Sequence, residues 1–241
     1  MRILEAPHPG ATPVNQLRVS GNACGPAALL SAFGFGSERW QAVAAAVPGR
    51  DDRQRIGSVI RLYGAKDSAH LRGRKRWNQR SGVNLLDLTD IANEMAGGRS
   101  VPRLDYEVLV QKRRESQAAL LRRAHRRLAR SLKRGMPPVI SLRRLALRSP
   151  PGTDQKFWTL VRGHFAVVTA IPARLPRGAR SFGFRYADPW GGEIHEGRFE
   201  ARESANCPCL VAIVPRSTIG KRDLNGGESS IVTLAAAIGD F

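Results

Sequence analysis

The spacing of apolar and polar positions divides the chain into two halves of different character. In the first half, apolar residues fall at helical spacing. CGPAALLSAF at 24–33 opens with a Gly-Pro pair and continues in small and apolar residues. A proline is tolerated in a first turn because its missing N–H would have had no intrahelical acceptor, so the pattern predicts a helix starting there. Ser37 is placed to cap a second helix over SERWQAVAAAV, which Pro48–Gly49 ends. Residues 53–63 predict a short third helix, and LLDLTDIANEMAGG a fourth with a glycine stop. Leu121, Ala124, Leu128 and Leu132 recur at helical spacing, and Gly135 with Pro137–Pro138 closes that pattern. Residues 1–20 read as an extended or irregular lead-in, and 99–110 as a connection.

Beyond residue 137 the period changes. PPVISLRRL, HFAVVTAI, SFGFRYAD and CLVAIVP are short runs rich in Val, Ile, Phe and Tyr between glycine and proline breaks, the pattern of strands. VTLAAAI, after GGESS, has no pattern that assigns it to an element. Helices lead and strands follow, which predicts an α+β fold with an N-terminal helical half packed against a C-terminal antiparallel sheet. The reading is one domain over 1–241, with 103–135 a basic helical insertion or arm.

Composition adds two constraints. At 241 residues and 42% hydrophobic content, the chain can build a sizeable core without a metal or disulfide. Its three cysteines form no CxxC pair, which argues against a disulfide framework and for a reducing compartment; Cys207 and Cys209, flanking Pro208, read as structural thiols. MRILEAPHPGATP lacks an apolar signal core, and no apolar run approaches the ~18 residues of a membrane span, so a cytoplasmic location is expected.

Charge changes the picture more. With 39 Lys and Arg against 20 Asp and Glu, the formal net charge is +19, and residues 111–134 hold ten of the bases against the single acid Glu115. A basic amphipathic helix attracts anionic surfaces, whether nucleic acid, lipid or an acidic protein, with Arg122, Arg123, Arg126 and Arg127 as candidate contacts. The plain alternative is a solvated helix face, since no nucleic-acid recognition motif accompanies the charge.

Candidate chemistry lies in three separated blocks. Cys24 opens the first helix, where unpaired amides and a neighbouring histidine can lower a thiol pKa. His164 begins one strand-like run and Asp188 closes another, just before Pro189–Trp190. A nucleophile, a base and an orienting acid are the residue types that acyl transfer requires. NACGPAALLSAF at 22–33, GHFAVV at 163–168 and YADPWGG at 186–192, with GVNLLDLTDIANEMAG between the first two, resemble the papain-like cysteine peptidases in that order. The nearest branch is the C39-like one, which includes bacterial bacteriocin-leader processing domains.

The resemblance spans most of residues 14–215. It implies a papain-like fold, hydrolysis of a peptide or protein amide or a related amide acyl transfer without a cofactor or metal, and catalytic roles for Cys24, His164 and Asp188. It further implies an oxyanion donor ahead of the nucleophile, for which Gln16 and Asn22 are the candidates. Trp190, next to Asp188-Pro189, reads either as a substrate wall or water shield or as a structural cover of the Asp188 corner. Two other classes stay open: an inactive papain-like peptide-binding module, and a basic module binding nucleic acid or an acidic partner. His8, His70, His125 and His195 read as surface or locally hydrogen-bonded histidines, and Trp77, among cations, as stacking on a ligand or as cation–π packing within the protein.

Overall fold

The computed structural model describes residues 2–149, 152–153, 155–203, 207–220 and 224–241. In chain order the elements are β1 (Ile3–Glu5), α1 (Cys24–Phe35), α2 (Glu38–Ala45), α3 (Asp52–Val59), β2 (Trp77–Asn78), β3 (Gly82–Val83), α4 (Leu85–Ala96), β4 (Asp105–Val108) and α5 (Gln117–Lys133). There follow β5 (Val139–Arg148), β6 (Phe157–Pro172), β7 (Ser181–Asp188), β8 (Glu193–Glu200), β9 (Leu210–Ile213) and β10 (Ser230–Gly239). A 3-10 turn occupies Gln16–Arg18, and a π turn, Ile60–Gly64, extends α3. The fold is mixed α+β, with helices leading and an antiparallel sheet following.

α1 is the central helix because its sequence is apolar on nearly every side. Ala27, Ala28, Leu29, Leu30, Ala32 and Phe33 are all buried, as expected for a helix without a solvent face. Phe33 stacks on Trp40 of α2 with ring centroids 5.2 Å apart. Ser37 stands at the N-cap of α2, but its hydroxyl makes no capping bond; its backbone N–H donates to the Gly135 carbonyl at 2.8 Å instead. Asn84 does cap α4, accepting from the Asp87 amide at 2.9 Å. α5 buries the expected stripe of Leu121, Ala124, Leu128 and Leu132, and Gly135, at φ 83°, lets the chain turn out of the helix.

Eight strands form one sheet in the order β1-β6-β5-β10-β9-β8-β7. β4 adds to β10, and a further pairing of β6 with β7 returns the path to β6. β6 changes character along its length, half exposed up to Gly163 and continuously buried from His164 to Pro172. The buried half is covered by α1 and α5, which is why HFAVVTAI reads as an unbroken apolar run. Residues 105–108 enter the sheet as β4, and α5 packs its apolar stripe against the same sheet, so the basic segment is built into the domain.

Besides the two-residue strands β2 and β3, four strands of the main sheet lie where the pattern predicts none. β1 pairs with the end of β6 inside the supposed lead-in, and β4 lies inside the supposed connection. β8 (EIHEGRFE) is largely surface, so its polar alternation carries little apolar signal. β10 contains the helix-favouring run Leu234–Ala237, yet it lies between β5 on one side and β9 and β4 on the other. Pairing on both edges outweighs the local helical preference of alanine. Among the described residues, no helix is long and apolar enough to cross a membrane.

Candidate functional site

The site forms where the start of α1 meets the buried half of β6. Antiparallel pairing sets Val167 opposite Ala187 and Val168 opposite Tyr186. Because side chains alternate between faces, this register puts Asp188 on the same face as His164 and diagonal to it across the two strands. The His164 Nε2–H donates to Asp188 Oδ1 at 2.7 Å, with both side chains buried. The same carboxylate oxygen accepts the Trp190 backbone N–H at 2.9 Å, and Oδ2 is buried with no hydrogen-bond partner.

With Nε2 committed to Asp188, Nδ1 remains for the third group. The His164 ring hydrogen-bonds the Cys24 thiol, which also receives backbone bonds from Gly25 and Phe165. Cys24 is half-buried. Burial by itself disfavours the thiolate, but the bond to His164, its charge, and the two amides outweigh that and lower the Cys24 pKa. Burial likewise opposes charge on His164, but the Asp188 carboxylate and the Cys24 sulfur prevail and raise its pKa to about 9. The three groups thus favour a thiolate–imidazolium pair.

The other thiols contrast with this one. Cys207 and Cys209 are both buried, and burial pushes their pKa values up, that of Cys209 to about 11. Only Cys24 combines access to solvent with a lowered pKa.

The two candidate oxyanion donors part company. Gln16 is buried beside the acid's corner: its backbone N–H donates to the Pro189 carbonyl at 2.8 Å, and its Oε1 has no hydrogen-bond partner. The segment is held from both sides, since the Val14 amide donates to Ser31 Oγ of α1 at 2.9 Å and Gly192 packs against Pro13 and Asn15. Asn22 is exposed, and its side-chain amide donates to the Arg80 carbonyl. It also donates its backbone N–H to the Gln79 carbonyl and accepts the Trp77 indole N–H at 2.9 Å, so it clamps a neighbouring loop. Trp190 leaves 44% of its surface exposed next to Asp188.

The basic helix resolves into two sets of cations. Arg123 is buried and binds Glu107 and Glu115 at 2.7 and 2.8 Å, and Arg127 pairs with Glu107. Burial and pairing remove Arg123 from the surface set expected from sequence, and Arg127 is shared with Glu107. Arg122, Arg126, Arg130 and Lys133 instead face solvent and have no carboxylate partner among the described residues. Sequence reasoning missed this division because Glu107 lies outside the charged run.

Of the remaining histidines, His125 is buried and bonds the Pro172 carbonyl at 2.8 Å. His70 Nε2 bonds Asp90 at 2.9 Å, close to Asp87. Both oxygens of Asp87 accept from Ser68 Oγ, at 2.9 and 2.8 Å, so the cluster is satisfied by its own hydrogen bonds. No protein-family model matches the chain, and no curated protein matches it.

Proposed function

We propose that the protein is a cysteine-dependent amide hydrolase, or a related acyl-transfer enzyme, acting on a peptide or protein. The observation carrying this reading is the contact chain from the Asp188 carboxylate through the His164 ring to the Cys24 thiol at the start of a buried helix. Its three blocks and their order support a papain-like fold of the C39-like kind. The free state of all three cysteines fits a reducing, cytoplasmic setting.

In the first step the Cys24 thiolate attacks the amide carbonyl carbon and forms a C–S bond while the carbonyl oxygen becomes an oxyanion. The Cys24 backbone N–H, one of the unpaired amides of the helix start, is a natural donor to that oxygen, with the Gln16 carboxamide as the side-chain candidate. The His164 imidazolium then protonates the leaving nitrogen as the C–N bond breaks, leaving a thioester. The neutral ring next takes a proton from water, whose oxygen displaces the sulfur and releases the acid. Asp188 fixes the ring orientation and favours its charged form throughout.

Intact-mass spectrometry after treatment with a peptidyl thiol-reactive electrophile tests this. Labelling should need Cys24, fall sharply in His164→Ala, and persist in a Cys207/Cys209 double variant. Labelling that survives in Cys24→Ala would overturn the assignment and favour a noncatalytic binding module.

The solvent-facing stripe on α5 supports a further partner, an acidic macromolecule held through Arg122, Arg126, Arg130 and Lys133. Helical geometry places these four along one face over ~16 Å.

A further inference from the structure

A cleft of about 730 Å³ opens beside the nucleophile, lined by residues 73–78 and 80–84 together with Leu71. Its wall is fastened to the segment that carries Cys24. A Cβ built on Gly82 would lie 3.2 Å from the Asn22 carbonyl oxygen, and one on Gly25 only 2.3 Å from Val83 Cγ1. The Trp77 indole and the Gln79 and Arg80 carbonyls all bond Asn22, two residues before the nucleophile. The cleft wall is therefore attached directly to the residues on either side of Cys24.

The lining carries four cations and no acid. Two of the cations are neutralised from outside the cleft: Lys75 pairs with Asp67 and Arg76 with Glu94, each at 2.7 Å. Arg74 and Arg80 are exposed and have no carboxylate partner among the described residues. Trp77 supplies an apolar part of the lining. The cleft on the Gln16 side differs, since Asp51 and Asp52 balance Arg18 and Arg53 there. A surplus of positive charge thus marks the first cleft and not the second.

We infer that this cleft receives the substrate on one side of the scissile amide, and that Arg74 and Arg80 select a peptide with acidic side chains there. The inference rests on the cysteine-amidase reading above. A guanidinium that meets a carboxylate forms a charge-assisted, often paired hydrogen bond that the isosteric amide cannot match.

The test uses the full chain carrying Cys24→Ala, so that no turnover interferes. Fluorescence anisotropy compares a labelled Ala/Gly peptide carrying paired glutamates with the same peptide carrying glutamines. The glutamate peptide should bind roughly tenfold more tightly. Adding Arg74→Gln and Arg80→Gln should bring the two affinities together. Neutralising Arg122, Arg126, Arg130 and Lys133 on α5 removes more charge yet should leave the ratio intact.

In the parent, the glutamate peptide should also slow alkylation of Cys24 by iodoacetamide. Equal affinities at the outset, a ratio that survives the Arg74/Arg80 changes, or a ratio lost equally in the α5 variant would each overturn the inference. Because binding is read without turnover, its failure alongside Cys24-dependent probe labelling discards the cleft assignment alone. Absence of that labelling would instead discard the amidase reading.

Discussion

At the scale of single residues, the pairing of a lowered thiol and a raised imidazole fixes the sign of the pH response. Cys24, held below its ordinary 9.0, loses its charge as pH falls, whereas His164 keeps its proton until about 9. The rate of peptide turnover should therefore rise from acid pH as the thiolate forms, hold a plateau, and fall near pH 9 as the imidazolium disappears. Iodoacetamide alkylation measured against pH isolates the first limb. In His164→Ala that limb should move up toward the ordinary thiol range, because burial is then opposed only by the Gly25 and Phe165 amides. Asp188→Asn keeps the size of the acid but removes its charge, and should lower turnover on the order of 100-fold or more with little change in KM. The residue types for this chemistry are legible in the sequence. The separation of Gln16 from Asn22 is not, because it depends on which backbone carbonyls lie nearby.

At the scale of elements, the start of α1 is positioned by the absence of a side chain. Gly25→Ala would push a methyl into Val83 of β3 and Leu88 of α4, so one of the three elements must shift. A fall in thermal midpoint, with slower labelling of Cys24, is the expected result, and wild-type behaviour in both would refute this account of the packing. Leu128→Ala should cost about 3 kcal/mol in a denaturant titration while leaving labelling of Cys24 nearly unchanged, since the residue is fully buried in α5 away from the site. The amphipathic helices are legible because one face of each is apolar. β10 and β8 are not, since alanine favours helices locally and a half-exposed strand shows little contrast between its faces.

At the scale of the whole molecule, the net charge of +19 is divided between structural and available cations. Arg123 is locked between Glu107 and Glu115, so Arg123→Ala should cost about 2 kcal/mol of stability, because half-buried Glu115 loses its partner and Glu107 keeps only Arg127. Replacing Arg122, Arg126, Arg130 and Lys133 with glutamine should leave stability nearly unchanged and lower the salt concentration needed to elute the protein from an immobilised polyanion. If both variants elute and melt alike, the division is wrong.

The order of helices before strands, the helix beginning at Cys24, the basic amphipathic segment and the residue types of the candidate site all follow from the sequence, because each is written in local spacing. Three other features follow only from tertiary structure. The diagonal of Asp188 and His164 depends on the register between β6 and β7, the thiol contact depends on α1 docking onto the buried half of β6, and the free cations depend on where Glu107 arrives. Each joins residues far apart in the chain, and such contacts are set by packing and strand register, which no local pattern encodes.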